Sequence, residues 1–391
     1  MSFGVYIHIP YCKQLCPYCD FSRYLYDKIM PPAKYVELLK KEISDRAKAV
    51  GPRAIQTLYF GGGTPSLFDP KLIVAVIEEL AIHGFTLERN AELSIEIDPG
   101  TIDEKKLDAL IAAGFTRFSV GAQSFSDRLL KLAGRKHSSE ETRELLKLMT
   151  ARKLNYSFDL LFSLPTQSLD ELRFDLDTAL YFEPSHLSAY LLNVADNHPM
   201  NRARPPDDIQ VAMFHEIEQV LSKKNILRYE ISNFAKPGSE SKHNLLYWQD
   251  QEYWGLGVSA HSYLKTGGRW GSRFSNSKRL LTYEKQIRQK RKAPWDFATD
   301  LAPVEYESLK LHQSLSDFCH TSLRLSRGLS TRATRAKYSS AVWLMVLPRL
   351  QVLVAQGLII QNDDLWALTP QGKLLSNIAF EKLSFAADEL T

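Results

Sequence analysis

The stretch YCKQLCPYCDF (residues 11–21) holds three of the chain's four cysteines, Cys12, Cys16 and Cys19, and follows directly on the apolar run VYIHI (5–9). The N-terminal residues MSFGVYIHIPYC carry neither a basic region nor a long apolar stretch, so no signal or transit peptide is expected and the setting is read as cytoplasmic. There a disulfide is disfavoured, and a tight group of thiols binds metal or does redox chemistry. A structural zinc site asks for four ligands, usually in two separated CxxC knuckles. The fourth cysteine, Cys319, lies far away beside His312 and His320, and its default reading is a buried apolar thiol. A [4Fe–4S] cluster has four irons, so three thiolates leave one iron open to a small chelating molecule. Pro17 stiffens the loop, and Tyr11, Tyr18 and Phe21 are expected to shield it.

Hydrophobic residues make up 44% of the 391 and charged residues 24%, with a net charge of +4. This is the balance of a soluble globular protein, and too weakly basic for a nucleic-acid binder. No apolar run approaches the roughly 18 residues that span a bilayer. Outward from the cysteines, short apolar runs alternate with amphipathic stretches: VYIHI, TLYF (57–60), LSIEID (93–98), RFSVGA (117–122), SFDLLF (157–162) and HLSAYLL (186–192). The stretch TIDEKKLDALIAAG opens on a capping pattern and stops at Gly114. Six βα units, with strands expected to be apolar on both faces, predict a parallel sheet. A barrel and a doubly wound sheet both fit, and in either the chemistry belongs at the C-terminal strand ends. Residues 1–225 form this first unit. Residues 226–299, rich in Gly, Ser, Asn, Tyr and Trp, are expected to lie over it as loops and short strands. Residues 300–391 predict a helical, winged-helix-like tail, with two short strands around NDD and few basic residues on the helix that would read DNA.

The strand ends carry further candidates. GGGTPS (61–66) supplies Gly62, Gly63 and Thr64, where glycines allow close backbone approach and are expected to leave N–H groups free for a ligand. Glu96 lies near the end of the third strand, and Gln123 at the end of the fourth. Arg135, in GRKH, can pair a carboxylate in a fork. Asp159 is an acid amid apolar neighbours on the fifth strand. Each has a structural alternative, as a backbone-bonded acid or a surface ion pair.

The C-x3-C-x2-C motif with Tyr18 before its last cysteine resembles the radical S-adenosylmethionine (SAM) superfamily. The resemblance implies a partial (β/α)6 barrel, a [4Fe–4S] cluster on Cys12, Cys16 and Cys19, and SAM chelated by the open iron and cleaved to a 5′-deoxyadenosyl radical. By resemblance, SAM contacts fall on Tyr6, Tyr18, Gly62, Gly63, Thr64, Glu96, Gln123, Arg135 and Asp159. The fold class implied is α/β, a partial barrel with a small α+β extension and the helical tail.

HIPYC, YFGGGTPS, GAQSF, GRKH and SLPTQ resemble the oxygen-independent coproporphyrinogen III oxidase branch of that superfamily, which holds both oxidases and heme chaperones. The oxidases carry a further cysteine two residues after the third and an N-terminal extension. Here that position is Phe21, and the motif begins at residue 12. HNLLYW (243–248) reproduces the chaperones' HNxxYW signature, so the chain is most like the heme-chaperone group. The resemblance implies heme bound by His243, Asn244, Tyr247 and Trp248, with His243 a candidate axial ligand. Arg269 and Arg273 are candidate propionate partners, and His261 is a competing ligand. A histidine among Asn and aromatics is equally a hydrogen-bonded structural residue. The implied partners are heme and heme-accepting respiratory proteins, with membrane contact through the acceptor, a second copy of the chain, and no nucleic acid. The alternative is a coproporphyrinogen III oxidase or another radical SAM enzyme acting on a tetrapyrrole.

Overall fold

The structure, a computed structural model, describes residues 2–26, 28–289, 296–297 and 305–390. Six strands alternate with helices from the N-terminus: β1 (Phe3–Ile9), β2 (Ile55–Gly62), β3 (Leu87–Ile97), β4 (Arg117–Gln123), β5 (Tyr156–Phe162) and β6 (His186–Leu191). They pair in sequence order, all parallel. Between them run α1 (Pro32–Val50), α2 (Pro70–Ile82), α3 (Glu104–Ala112), α4 (Asp127–Leu132), α5 (Ser139–Ala151) and α6 (Leu169–Tyr181), and α7 (Asp207–Ser222) follows β6. The helix starts are written locally. Ser138 and Ser168 each form a capping box with the glutamate three residues on, satisfying N–H groups that the first turn leaves over. In α3 the cap is Asp103, while Thr101 instead bonds Ser66 and the Asp98 carbonyl.

The strands are not apolar on both faces, as the sequence reading had them. Val5, Ile7, Leu58, Phe60, Ile95, Phe118, Val120 and Phe158 are buried in the main core. The alternate positions, among them Tyr6, Tyr59, Ser94, Glu96, Ser119, Asp159 and Ser188, line an interior cavity. Successive side chains on a strand point to opposite faces. One face therefore buries aliphatic and aromatic groups at about 1.5–3 kcal/mol each, and the other is a polar lumen.

Beyond residue 226 the chain continues the same sheet at both edges. β7 (Leu227–Arg228) and β8 (Asn233–Ala235) extend it antiparallel past β6. β9 (Glu252–Leu256) adds a seventh parallel strand on the free edge of β1, and β10 (His261–Leu264), β11 (Ser272–Ser275) and β12 (Tyr306–Ser308) follow antiparallel. The order is β12-β11-β10-β9-β1-β2-β3-β4-β5-β6-β8-β7, a wide open sheet. Among the described residues this region also holds the helices α8 (Lys242–Trp248) and α9 (Leu280–Arg288).

The tail has its own core around Leu315, Val346, Leu350 and Trp366. It comprises α10 (Leu311–Arg324), β13 (Leu329–Ser330), α11 (Thr331–Tyr338), α12 (Ser340–Ala355), β14 (Ile359–Asn362), β15 (Leu365–Leu368), α13 (Pro370–Leu374) and α14 (Ser376–Lys382). Its three strands form a sheet in the order β13-β15-β14, a winged-helix arrangement. Cys319 is fully buried in this core.

Candidate cofactor and ligand site

The three cysteines sit on the loop after β1. Its backbone is anchored on both sides: Gly63 N–H donates to the Ile9 carbonyl at 2.8 Å, Thr64 N–H to Tyr11 at 2.7 Å, and Tyr26 N–H to Cys12 at 2.9 Å. A Cβ on Gly63 would lie 2.7 Å from the Tyr11 carbonyl oxygen, so only glycine lets the two loops touch. This corrects one expectation. The Gly62 N–H donates to Glu96 Oε2 at 2.9 Å, so the N–H groups of Gly62, Gly63 and Thr64 are all used within the protein. These three residues offer close approach and no free backbone N–H.

Cys12 and Cys16 are buried and Cys19 half-buried. Burial pushes the Cys12 thiol up to about 11, against the pull of a hydrogen bond from Thr64, and the other two cysteines add to the rise. Burial also raises Cys19. Arg135 Nη1 approaches Cys16 Sγ at 3.6 Å. Among the described residues no three His, Cys, Asp or Glu side chains converge on a single ion. A cubane asks for something else, one thiolate on each of three irons, and three neighbouring thiols beside a cavity fit that demand. Phe21 is 61% exposed and Tyr11 fully buried, Tyr11 packing on Tyr35 and Phe68. Tyr11 thus belongs to the core, whereas Phe21 lines the cavity beside Cys19 and Tyr18.

The cavity beside this loop measures about 660 Å³, and all nine residues assigned to SAM by resemblance line it. That size falls within the usual range for a small-molecule site. Glu96 accepts hydrogen bonds from Tyr59 (3.0 Å) and Gly62 N–H. Burial, then the charge of Asp159, raises it to about 7. Burial raises Asp159 to about 6, against hydrogen bonds from Ser188 and Ser119 and the charge of Arg117. Gln123 holds a left-handed φ of 64°, a strained backbone of the kind that collects at ligand sites. Arg135 pairs internally with Asp98 at 2.7 Å.

The HNxxYW segment forms α8, which closes the lumen from the N-terminal end of the strands. Ser241 caps it, and Glu92 accepts from the Lys242 and His243 N–H groups. His243 is 1% exposed. Its Nδ1 is hydrogen-bonded to Thr57 (2.7 Å), its Nε2 to Tyr247 (2.8 Å), and its ring stacks on Tyr59. Burial drops its pKa to about 3, so the ring is neutral. Asn244 and Tyr247 also line the cavity; Trp248 does not, and the Arg324 guanidinium covers it from the C-terminal domain at 4.4 Å. Arg273 is paired with Glu307 and Asp317, and Arg269 stacks on Trp270. His261 is exposed, at the start of β10.

Sequence reasoning missed Tyr59, Ser94, Arg117, Ser119, Ser157, His186 and Ser188 as cavity residues. The signal was the period-two alternation of apolar and polar residues within each strand.

Comparison with known proteins decides the family. A model of the radical SAM superfamily matches residues 6–179, and one of the HemN C-terminal domain matches residues 312–375. The heme chaperone HemW of Escherichia coli (strain K12) is 31% identical over 383 residues, covering 97% of each chain. The chain belongs to the radical SAM superfamily, in the branch that holds HemW. The HemW of Bacillus subtilis (strain 168) is likewise 31% identical, covering 96% of this chain and 98% of its own. The solved structure of coproporphyrinogen III oxidase (HemN) from Escherichia coli shares the fold, with a TM-score of 0.81 at 23% identity over 98% of this chain and 90% of its own. The superfamily implies a [4Fe–4S] cluster and SAM, and the cysteine loop and cavity are where they fit. No described helix is long and apolar enough to cross a membrane.

Proposed function

We propose that this chain is a heme chaperone that binds heme and hands it to acceptor proteins, respiratory enzymes among them, on a cluster- and SAM-bearing core. The observation that carries this reading is similarity along the whole chain to proteins named heme chaperone HemW. The exposed Phe21, at a position where the oxidases carry a cysteine, supports it, as does the HNxxYW helix. Cys12, Cys16 and Cys19 would hold the cluster, which when bound would chelate SAM and could supply an electron to it. Glu96 and Asp159 are placed to accept hydrogen bonds from a ligand in the lumen, and Arg135 to meet a carboxylate at the cluster end.

Heme is proposed to recruit His243, with Asn244, Tyr247 and Trp248 around it. Both imidazole nitrogens are engaged, so ligation goes with release of the Tyr247 or Thr57 hydrogen bond. A second reading rests on His261, an exposed residue at the start of β10. The test is an optical heme titration of the reconstituted full chain beside an anaerobic assay with coproporphyrinogen III. Heme binding without decarboxylation is the expected result; formation of protoporphyrinogen IX would overturn it in favour of an oxidase. Loss of the Soret band in His243→Ala but not His261→Ala assigns the ligand.

A further inference from the structure

Two residues below Glu96, toward the N-terminal ends of the strands, the lumen holds Ser94 on β3, Arg117 on β4 and His186 on β6. The strand register sets Ser94 opposite Arg117 and Ser157 opposite His186. Ser94, Arg117 and His186 are 1%, 3% and 2% exposed. Each has a polar atom with no hydrogen-bond partner: Ser94 Oγ, Arg117 Nη2 and His186 Nδ1. A buried unmade hydrogen bond costs about 1–3 kcal/mol, more on a charged group. Three on the wall of one cavity call for an acceptor.

The three atoms can all donate. Arg117 Nη2 carries only N–H groups, while Nη1 already donates to the Ser239 carbonyl at 3.1 Å. Tyr229 OH accepts from the Ser241 N–H at 3.4 Å and lies 2.9 Å from His186 Nε2. With the tyrosine hydrogen on Nε2, the imidazole proton sits on Nδ1, the tautomer in which that atom donates. Two acids lie near: Glu92, 3.8 Å from Arg117 Nη1, accepts from the first N–H groups of α8, and Asp159, whose carboxyl feels the Arg117 charge, stands two residues above Ser157 on β5. A guanidinium edge, an imidazole N–H and a hydroxyl at the floor of one cavity recognise an oxyanion.

We propose that the lumen floor binds a small oxyanion, a carboxylate or inorganic phosphate, at Ser94, Arg117 and His186, apart from the cofactor end of the cavity. The test uses the cluster-reconstituted full chain with SAM present, titrated with acetate and with inorganic phosphate at constant ionic strength, with chloride as control. The readouts are thermal midpoint and the ring-nitrogen NMR signals of histidine labelled with 15N. One probe is expected to saturate, to raise the midpoint and to move the His186 signal; which one does so names the source. Arg117→Gln should weaken binding at least tenfold and Ser94→Ala several-fold, the second keeping the test open if the first variant does not fold. No saturable effect beyond chloride means a floor filled by water alone and overturns the proposal. So does binding unchanged in both variants, or a probe that SAM displaces one for one.

Discussion

His243 and Thr57 stand 186 residues apart in the chain and meet in a 2.7 Å hydrogen bond on the floor of the cavity. With Tyr247 on the other ring nitrogen, the imidazole is locked between α8 and β2. If heme iron is to take Nε2, the Tyr247 hydrogen bond must break first. Tyr247→Phe keeps the ring and removes that competitor. Its expected effect is tighter heme binding by about fivefold, the worth of one net hydrogen bond near 1 kcal/mol. A Soret titration of the variant measures this. Unchanged affinity, together with loss of binding in His261→Ala, would move the iron to His261.

The lumen carboxylates give the fold a pH dependence. Folded Glu96 keeps its proton up to about 7, whereas its ordinary value is 4.5, and Asp159 keeps its own to about 6 against 3.8. Between those limits the folded chain holds protons that the unfolded chain has lost, so stability falls as pH rises through the window. The contribution is fully present below the ordinary values and gone above pH 7. Glu96→Gln retains one acceptor without the charge. Guanidinium unfolding at pH 5 and pH 8 should show wild type losing more stability than the variant between the two. Equal losses would mean that Glu96 ionises at an ordinary pH.

The cysteine loop and the six parallel strands were legible because their signals are local, a spacing of thiols and apolar runs bounded by helices. The polar lumen was written in the same runs: VYIHI alternates, with Val5 and Ile7 outward and Tyr6 and His8 inward, but short runs read as continuous when only their apolar content is weighed. The partner of His243 was not legible, since nothing near residue 57 marks Thr57. The seventh parallel strand, Glu252–Leu256, pairs with β1 across some 250 residues, and pairing over such separations depends on tertiary context rather than on local pattern.

The contact of the two cofactor loops turns on a missing side chain. At Gly63 an added Cβ would meet the carbonyl oxygens of Tyr11 and Ile9 at 2.7 and 2.8 Å, and backbone cannot swing aside as a flexible side chain can. Gly63→Ala is therefore expected to part the loops and to lose cluster on reconstitution, with the brown absorbance reduced at equal protein. The melting temperature should fall less than the cluster content, because the contact lies at the cavity rim and not in the main core. Full iron and sulfide content in the variant would show that the loops part without disturbing the thiols.

A buried ion pair within α1 is hydrogen-bonded to the sheet extension. Arg46 and Glu42 are both inaccessible to solvent and 2.5 Å apart. Glu42 also accepts from Tyr283 OH at 2.6 Å, Asn276 Nδ2 at 2.7 Å and Gly257 N–H at 2.9 Å. Four donors on one carboxylate offset its desolvation, and removing it takes an acceptor from all four, although Arg46 keeps Asn276 Oδ1 and Asn276 keeps the Gly257 carbonyl. Glu42→Ala is expected to cost about 3–5 kcal/mol, as breaking a buried pair generally does. Arg46→Met, which fills similar volume without charge, leaves a carboxylate still held by three donors and should cost less. Denaturant midpoints of the two variants compare the cases. The larger loss belongs to Glu42, because the donors of Asn276, Gly257 and Tyr283 come from the segment that carries the sheet beyond β1 and closes over α1.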